Sequence, residues 1–366
     1  MKRAGGLFDA ITDVRTLSYA AWRAAQGKRD RPEIDGFLSR LDSETALISQ
    51  ALREGSFRFE GYRSFWIRDP KTRVIHAPSF RDRVVHHAIL AVAGPIFERG
   101  AIAHSYACRA GRGQHAALRK ARSWARAGEW FLKADVSRYY DSVDHGILRA
   151  LLERRFRERR LLHLFDALLD SYAHSPGKGL PIGALTSQYL GNFYLDPVDH
   201  WVNQACRVPH YMRYMDDLLL VGGNADLARV RQELPATLEG LGLRIKNNGV
   251  FNRCELGVPY LGFVVYPDRV RLNARGRKRL RRKTKDVERS FERGYITESE
   301  LQARGEALFA HACFGGDIAW RRIVTQFSRL REMGETQEPA PRAARRFVEQ
   351  HREQVPLGLS EQERAR

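Results

Sequence analysis

The sequence predicts an α+β fold, and three features lead there. Apolar residues recur at spacings of three, four and seven over long stretches; short β-branched and aromatic runs lie between turn residues; and the two patterns alternate without a regular period. That irregularity excludes a solenoid repeat. With 366 residues, 43% apolar and 10% aromatic, the chain can bury a real core. Its length allows two or three packed units, or one core of about 250 residues with extensions.

Residues 1–56 read as helical, because Ile34, Phe37, Leu38, Leu41, Ile48 and Leu52 recur at helical spacing and Gly55-Ser56 stops the run. From Tyr62 to Ile75 two β-rich runs surround Asp69-Pro70-Lys71, the pattern of a hairpin. A helix is predicted from Arg81 to Phe97, its face carrying Val84, Val85, Ala88, Ile89, Ala91 and Val92. A Gly/Arg loop (CRAGRGQ) and an Ala/Arg-rich helix near 114–127 follow. The run WFLKADV then reads as a buried strand ending at Asp135. Next come a helix near 144–170, a flexible segment from Gly177 to Gly183, and a helix near 184–206. HYMRYMDDLLLVGG gives two apolar runs meeting at Met215-Asp216, a second hairpin. A helix near 224–241 precedes short strands at 243–246 and 258–266.

Beyond Pro267 the composition turns basic, with seven cationic residues among the nine from Arg277 to Lys285, and this marks a boundary. A small helical unit is expected to about 335, then a loose or helical tail containing Pro339, Pro341 and Pro356.

Charge narrows the partner. Sixty-two basic against 43 acidic side chains leave +19, so a folded protein with a polyanionic partner is expected. The basic residues are 52 Arg and 10 Lys, a bias that suits bidentate phosphate contacts and stacking on bases, although a GC-rich genome produces the same bias. The seven charges of the 277–285 run surround their helix, which favours phosphate contact over a merely solvated face. No window approaches 18 apolar residues and the N-terminus shows no signal-like stretch, so a soluble cytoplasmic protein without membrane contact is expected. Cys108, Cys206, Cys254 and Cys313 form no CxxC pair and read as reduced thiols, and the histidines lack zinc-site spacing. The GxG at Gly111–Gly113 lacks a third glycine and a preceding strand, so no dinucleotide site is expected. Tyr211, Tyr214, Tyr260 and Phe263 read as core or hairpin residues before base-stacking platforms.

Three acids stand where apolar strands end: Asp135, Asp216 and Asp217. Hard oxygen donors so placed suit Mg²⁺, and two ions about 3.5 to 4 Å apart activate an attacking hydroxyl and stabilise a leaving phosphate. Against this stands the frequent use of Asp-Asp to cap a turn.

The surrounding residues carry a family resemblance. Tyr214-Met215-Asp216-Asp217 resembles the YxDD box of reverse transcriptases, and Phe131–Val136 with Tyr139-Tyr140-Asp141 resembles their first palm motif. RVIHAPSFRDR (Arg73–Arg83) and SYACRAGRGQHAA (Ser105–Ala117) resemble fingers segments of the bacterial enzymes. GLPIGALTSQYLGN (Gly179–Asn192) and Tyr260-Leu261-Gly262-Phe263 resemble a further palm motif and the primer grip. Six motifs in one order cover roughly residues 60–266.

The resemblance implies a right-hand polymerase fold: a helical N-terminal extension (1–59), fingers and palm (60–266), a basic helical thumb (267–335) and a tail (336–366). It implies an RNA-directed DNA polymerase using two Mg²⁺ ions and dNTP substrates on template RNA and cDNA. Asp135, Asp216 and Asp217 would be catalytic, with the Val136 carbonyl available to the metal that holds the triphosphate. Tyr140 would stand against the sugar, where a ring excludes a 2′-hydroxyl, and Lys71 and Arg73 would grip the β- and γ-phosphates. Ile182, Gly183 and Gln188 would lie beside the nucleotide. Arg81, Arg83, Arg109 and Arg112 would contact the template backbone or the triphosphate. Tyr214, Leu261, Gly262, Arg279, Arg281, Arg282 and Lys283 would contact nucleic acid.

Two departures from the family pattern narrow it. The chain reads Ile182-Gly183 and Ser187-Gln188 where most relatives show Gln-Gly and Ser-Pro. That signature resembles the reverse transcriptases of diversity-generating retroelements, which copy a template-repeat RNA, mutate its adenines and work with a small basic accessory protein. In LGLRIKNNGV, Gly249 replaces the usual lysine of a Lys-Thr pair and Lys246 lies three residues earlier, which puts the acid for pyrophosphate release in question. A group II intron-like or antiviral defence enzyme is the nearest alternative. A non-catalytic RNA-binding scaffold is the rival from another class, disfavoured because three repelling carboxylates without metal are costly to keep together.

Overall fold

The structure, a computed structural model, describes residues 3–68 and 72–313. The Asp69-Pro70-Lys71 turn, the end of the expected thumb and the tail lie outside the described residues. The chain divides into two compact units, Met1–Asn273 and Ala274–Arg366.

Unit one begins with α1 (Phe8–Thr12), α2 (Val14–Ala25), α3 (Pro32–Leu38) and α4 (Leu41–Glu54). Breaks are built into the sequence: Asp13 caps α2 by accepting from the Arg15 and Thr16 amides, Pro32 opens α3, and Gly55 closes α4 in the left-handed region. The antiparallel pair β1 (Tyr62–Ile67) and β2 (Arg73–Pro78) follows, with Ile67 opposite Arg73. Next come α5 (Phe80–Gly100), which packs on α2, and α6 (Gln114–Ala127).

The central sheet has the order β4-β5-β3-β6, all antiparallel: β3 is Trp130–Asp135, β4 His210–Tyr214, β5 Asp217–Gly222 and β6 Val250–Arg253. Leu218, Leu219, Leu220 and Val221 are fully buried, which is why β5 reads as a continuous apolar run and not as an alternating one. Between β3 and β4 lie α7 (Tyr139–Ser142), α8 (His145–Arg155), α9 (Arg159–Asp170), α10 (Leu185–Tyr194) and α11 (Asp196–His200), the last continued by one π-helical turn. α12 (Asn224–Glu239) packs on β3 and β5. A small sheet, β7 (Val258–Tyr260), β8 (Phe263–Val265) and β9 (Val270–Leu272), ends the unit.

Several sequence expectations are corrected. The single helix near 144–170 is broken at Phe156, which is extended and fully buried. Its neighbours exchange backbone hydrogen bonds with Ala4 (2.9 and 2.8 Å), a pairing across the whole N-terminal region that local periodicity does not report. The 243–246 segment forms one bridge, Val136 with Ile245, and the strand comes later, at β6. Gly249 turns the chain into β6 at φ +71°, where a Cβ would lie 2.7 Å from the Lys133 carbonyl. Any side chain at this position would be strained and would press on the Lys133 carbonyl.

Unit two, over its described residues, is a helical hairpin of α13 (Ala274–Glu292) and α14 (Glu298–Cys313). Ile296 and Leu301 are buried with Val287 and Phe291 against them. The charges of α13 therefore do not surround it. Leu280, Thr284, Val287 and Phe291 form a shielded stripe that a nine-residue window cuts short. Among the described residues no helix is long and apolar enough to cross a membrane.

Candidate active site

The register of the central sheet assembles the carboxylates. Antiparallel pairing sets Asp135, the last residue of β3, opposite Asp217, the first of β5. Tyr214 also pairs with Asp217, so Met215-Asp216 is a two-residue turn, with Met215 left-handed at φ +56°. The Asp216 carbonyl accepts from the Val136 amide (3.3 Å), which ties the turn to the end of β3.

Burial, followed by the charges of Asp135 and Asp217, pushes the Asp216 carboxyl up to about 6, while Arg73 opposes the shift. The other two acids are ion-paired: Asp217 with Lys133 Nζ at 2.8 Å and Asp135 with Lys246 Nζ at 3.9 Å. Lys133 was missed in the sequence, although the strand period of two places it on the same face of β3 as Asp135. Among the described residues no three His, Cys, Asp or Glu side chains stand as a ready metal cluster. The donor chemistry nevertheless fits a divalent cation, since hard carboxylate oxygens suit it and the costly Asp216 charge is relieved by a +2 ion.

Of the other predicted residues, Tyr140 reaches the turn, while Ile182 and Gly183 lie against β2. Tyr140 donates to Met215 Sδ (3.4 Å), and burial raises its pKa. Arg73, at the start of β2, acts electrostatically on both Tyr140 and Asp216. The Ile182 carbonyl accepts from the His76 amide of β2 (2.7 Å). Gly183 sits at φ +121°, where a Cβ would lie 2.7 Å from Ile75 Cγ2 and 3.0 Å from the His76 carbonyl. Gln188 is half-buried on α10. Lys71 lies outside the described residues.

Strand-end acids are thus opposed across an antiparallel pair, with Tyr140 hydrogen-bonded to the turn beside them. Residues 68–265 match the family described as "Reverse transcriptase (RNA-dependent DNA polymerase)". The chain belongs to the reverse transcriptase family. With membership comes the right-hand polymerase fold, of mixed helix and sheet, and the divalent-metal chemistry of the family.

Two curated relatives are similar to this reverse transcriptase. It is 26% identical over 286 residues to Protein YkfC of Escherichia coli (strain K12), covering 64% of this chain and 75% of that protein. It is 25% identical over 179 residues to the group II intron-encoded protein LtrA of Lactococcus lactis subsp. cremoris, covering 46% of this chain but only 29% of LtrA. Among solved structures, telomerase from Candida albicans with a fragment of telomeric RNA aligns with a TM-score of 0.46 at 12% identity, covering 78% of this chain and 56% of that one.

The basic residues of the reverse transcriptase separate into two groups. Arg109 is engaged inside the protein, where its guanidinium donates to the carbonyls of Ile102 (2.8 Å), Ser105 (3.1 Å) and Glu98 (3.3 Å). It therefore stands apart from the nucleic-acid contacts expected of it. Arg81 lies over the Phe57 ring at 4.4 Å, and exposed Arg112 lies 5.5 Å from the Tyr106 ring. Arg83 lines a cleft of about 750 Å³ together with Lys28, Arg31, Arg63 and Gly183. Burial, then the charges of Arg83 and Arg31, lowers the Lys28 pKa. The segment between α2 and α3 thus brings two cations, Lys28 and Arg31, to this cleft that no motif had flagged.

Tyr214 is half-buried, while Tyr211, Tyr260 and Phe263 are core residues. Leu261 and Gly262 form the β7–β8 turn, with Leu261 left-handed and its carbonyl accepting from Gln114 Nε2 (2.7 Å). In unit two, Arg281 and Arg282 are exposed and Arg279 and Lys283 half-buried. Cys108, Cys206 and Cys254 are free thiols.

Proposed function

We propose that this chain is an RNA-directed DNA polymerase that copies a structured RNA into cDNA, using Mg²⁺ held by Asp135 and Asp216, with Asp217 completing the site. The observation that carries this reading is the opposition of Asp135 and Asp217 across β3 and β5, with Asp216 on the turn between β5 and its partner. When bound, the cations supply a lowered hydroxyl pKa and charge neutralisation at the leaving phosphate. The primer 3′-hydroxyl oxygen forms a bond to the α-phosphorus of the dNTP, its proton is lost, and the bond to pyrophosphate breaks. The chain's residues orient this step. Arg73 faces the site from β2 to hold the triphosphate, and Tyr140 stands against the sugar. Lys246, beside Asp135, offers an ammonium where Gly249 leaves none. We assign residues 60–266 to fingers and palm, the basic helices to a thumb, and Arg81, Arg83, Arg112, Tyr214 and the β7–β8 turn to the nucleic-acid path.

Ile182-Gly183 and Ser187-Gln188 favour adenine-mutagenic copying in a diversity-generating retroelement, with a small basic accessory protein as partner. Similarity to LtrA favours a second reading, a group II intron-like enzyme using the same site on a different RNA. A variable repeat and an accessory gene beside this one would support the first; flanking intron RNA structure would support the second.

Primer extension by purified protein on an RNA template with Mg²⁺ tests the polymerase reading. Asp135→Asn is expected to abolish synthesis and leave RNA binding unchanged, since it removes a metal ligand and not a phosphate contact. Synthesis near the wild-type rate in that variant would overturn the assignment.

A further inference from the structure

Arg213, two residues before the turn of the YxDD box, is fully buried, as is its partner Asp199 on α11. Its Nε donates to Asp199 Oδ1 (2.8 Å) and Nη2 to Oδ2 (2.6 Å). The same Nη2 donates to the Asn192 carbonyl (2.9 Å), and Nη1 donates to Asn192 Oδ1 (3.0 Å) and to the Met215 carbonyl (3.1 Å). Tyr211 adds a hydrogen bond to Asp199 Oδ1 (2.6 Å), and Asn192 Nδ2 donates to the Ala107 carbonyl (2.9 Å).

Neutralising Asp199 would require only one or two of these bonds. The fork instead spans α10, α11 and the turn at once, and the carbonyl it reaches belongs to Met215, the residue held left-handed. A methionine leaves that conformation unless its surroundings hold it. Rotation of the Met215-Asp216 peptide would swing the Asp216 carboxylate away from Asp135.

We infer that Arg213 is a positioning residue that fixes the Met215-Asp216 turn, and with it the Asp216 carboxylate, for metal binding. This rests on the polymerase reading above. Asp199 anchors the guanidinium, and Asn192 ties it to the helix that carries Gln188. Lysine cannot replace it, because one ammonium nitrogen cannot serve divergent acceptors on three elements.

The test uses the full-length protein as Arg213→Lys, and as the paired variant Arg213→Met with Asp199→Leu. Replacing both members of a buried ion pair with apolar residues is commonly neutral for stability, so the paired variant removes the hold on Met215 without stranding a charge. In both, Mn²⁺ binding measured without nucleotide is expected to weaken about 10- to 100-fold, as when other supports of metal ligands are removed. The kcat should fall by a similar factor, with KM for dNTP and RNA affinity within about twofold of wild type. Wild-type Mn²⁺ affinity and kcat in a folded variant would overturn the inference. Failure of both variants to fold would also overturn it, since the pair would then be only a structural pin. Asp216→Asn separates the two readings. If it retains synthesis, the polymerase reading fails; if it is inactive while the Arg213 variants behave as wild type, only this inference fails.

Discussion

Replacing Asp216 with Asn should make the metal-free protein more stable while ending its activity. Burial and two neighbouring acids raise the Asp216 carboxyl from the ordinary 3.8 to about 6. The folded state therefore holds a proton that the unfolded chain has released between those values, and stability falls as pH rises through that window. Above pH 6 the full penalty is present, and 2.2 pH units at about 1.4 kcal/mol each make it about 3 kcal/mol. Asparagine carries no charge and escapes it. At pH 7.5 without divalent metal, Asp216→Asn should gain up to about 3 kcal/mol, roughly 6 to 12 °C in Tm for a unit of this size. The gain should vanish below about pH 4, where the native aspartate is protonated as well. Millimolar Mg²⁺ should stabilise the wild type and not the variant, closing the gap. Thermal melts of both proteins at pH 4 and 7.5, with and without Mg²⁺, decide the matter. A variant no more stable than wild type at pH 7.5 without metal would refute the claim that burial and its acidic neighbours make the Asp216 charge costly.

Gly183→Ala should slow synthesis about tenfold while sparing RNA affinity, because a Cβ would meet Ile75 and the His76 carbonyl and push the loop off β2; single-turnover extension beside filter binding reads both. Neutralising Arg279, Arg281, Arg282 and Lys283 should weaken RNA binding and reduce the slope of log affinity against log salt by about one for each phosphate the protein no longer neutralises. An unchanged slope would mean that α13 does not touch the RNA backbone. Ile182→Gln should lower misincorporation opposite template adenines by about ten- to a hundredfold without disabling synthesis, since glutamine adds a polar group that isoleucine lacks. Equal error spectra in cDNA from the two enzymes on one adenine-rich RNA would place infidelity elsewhere in the site.

Some of this protein is written locally. WFLKAD reads as a strand because four of its six residues are apolar and its one lysine falls on the same alternate face as Asp135, and HYMRYMDDLLLVGG must turn where two acids interrupt its apolar run. The carboxylates at the strand ends, the α+β class and the basic character of α13 follow from such patterns. Tertiary structure decided the rest. Only the antiparallel register of β3 and β5 opposes Asp135 to Asp217, and only the return of the chain after α12 brings Lys246 beside Asp135. Arg213 in an apolar run is uninterpretable alone; its burial depends on Asp199, which arrives from α11. The break at Phe156 depends on Ala4, and the three-residue strands β7, β8 and β9 depend on one another. Periodicity reports which face of a segment avoids water. It is silent about which distant segment covers that face, because that choice is made by pairings whose energy exists only once the intervening chain has closed.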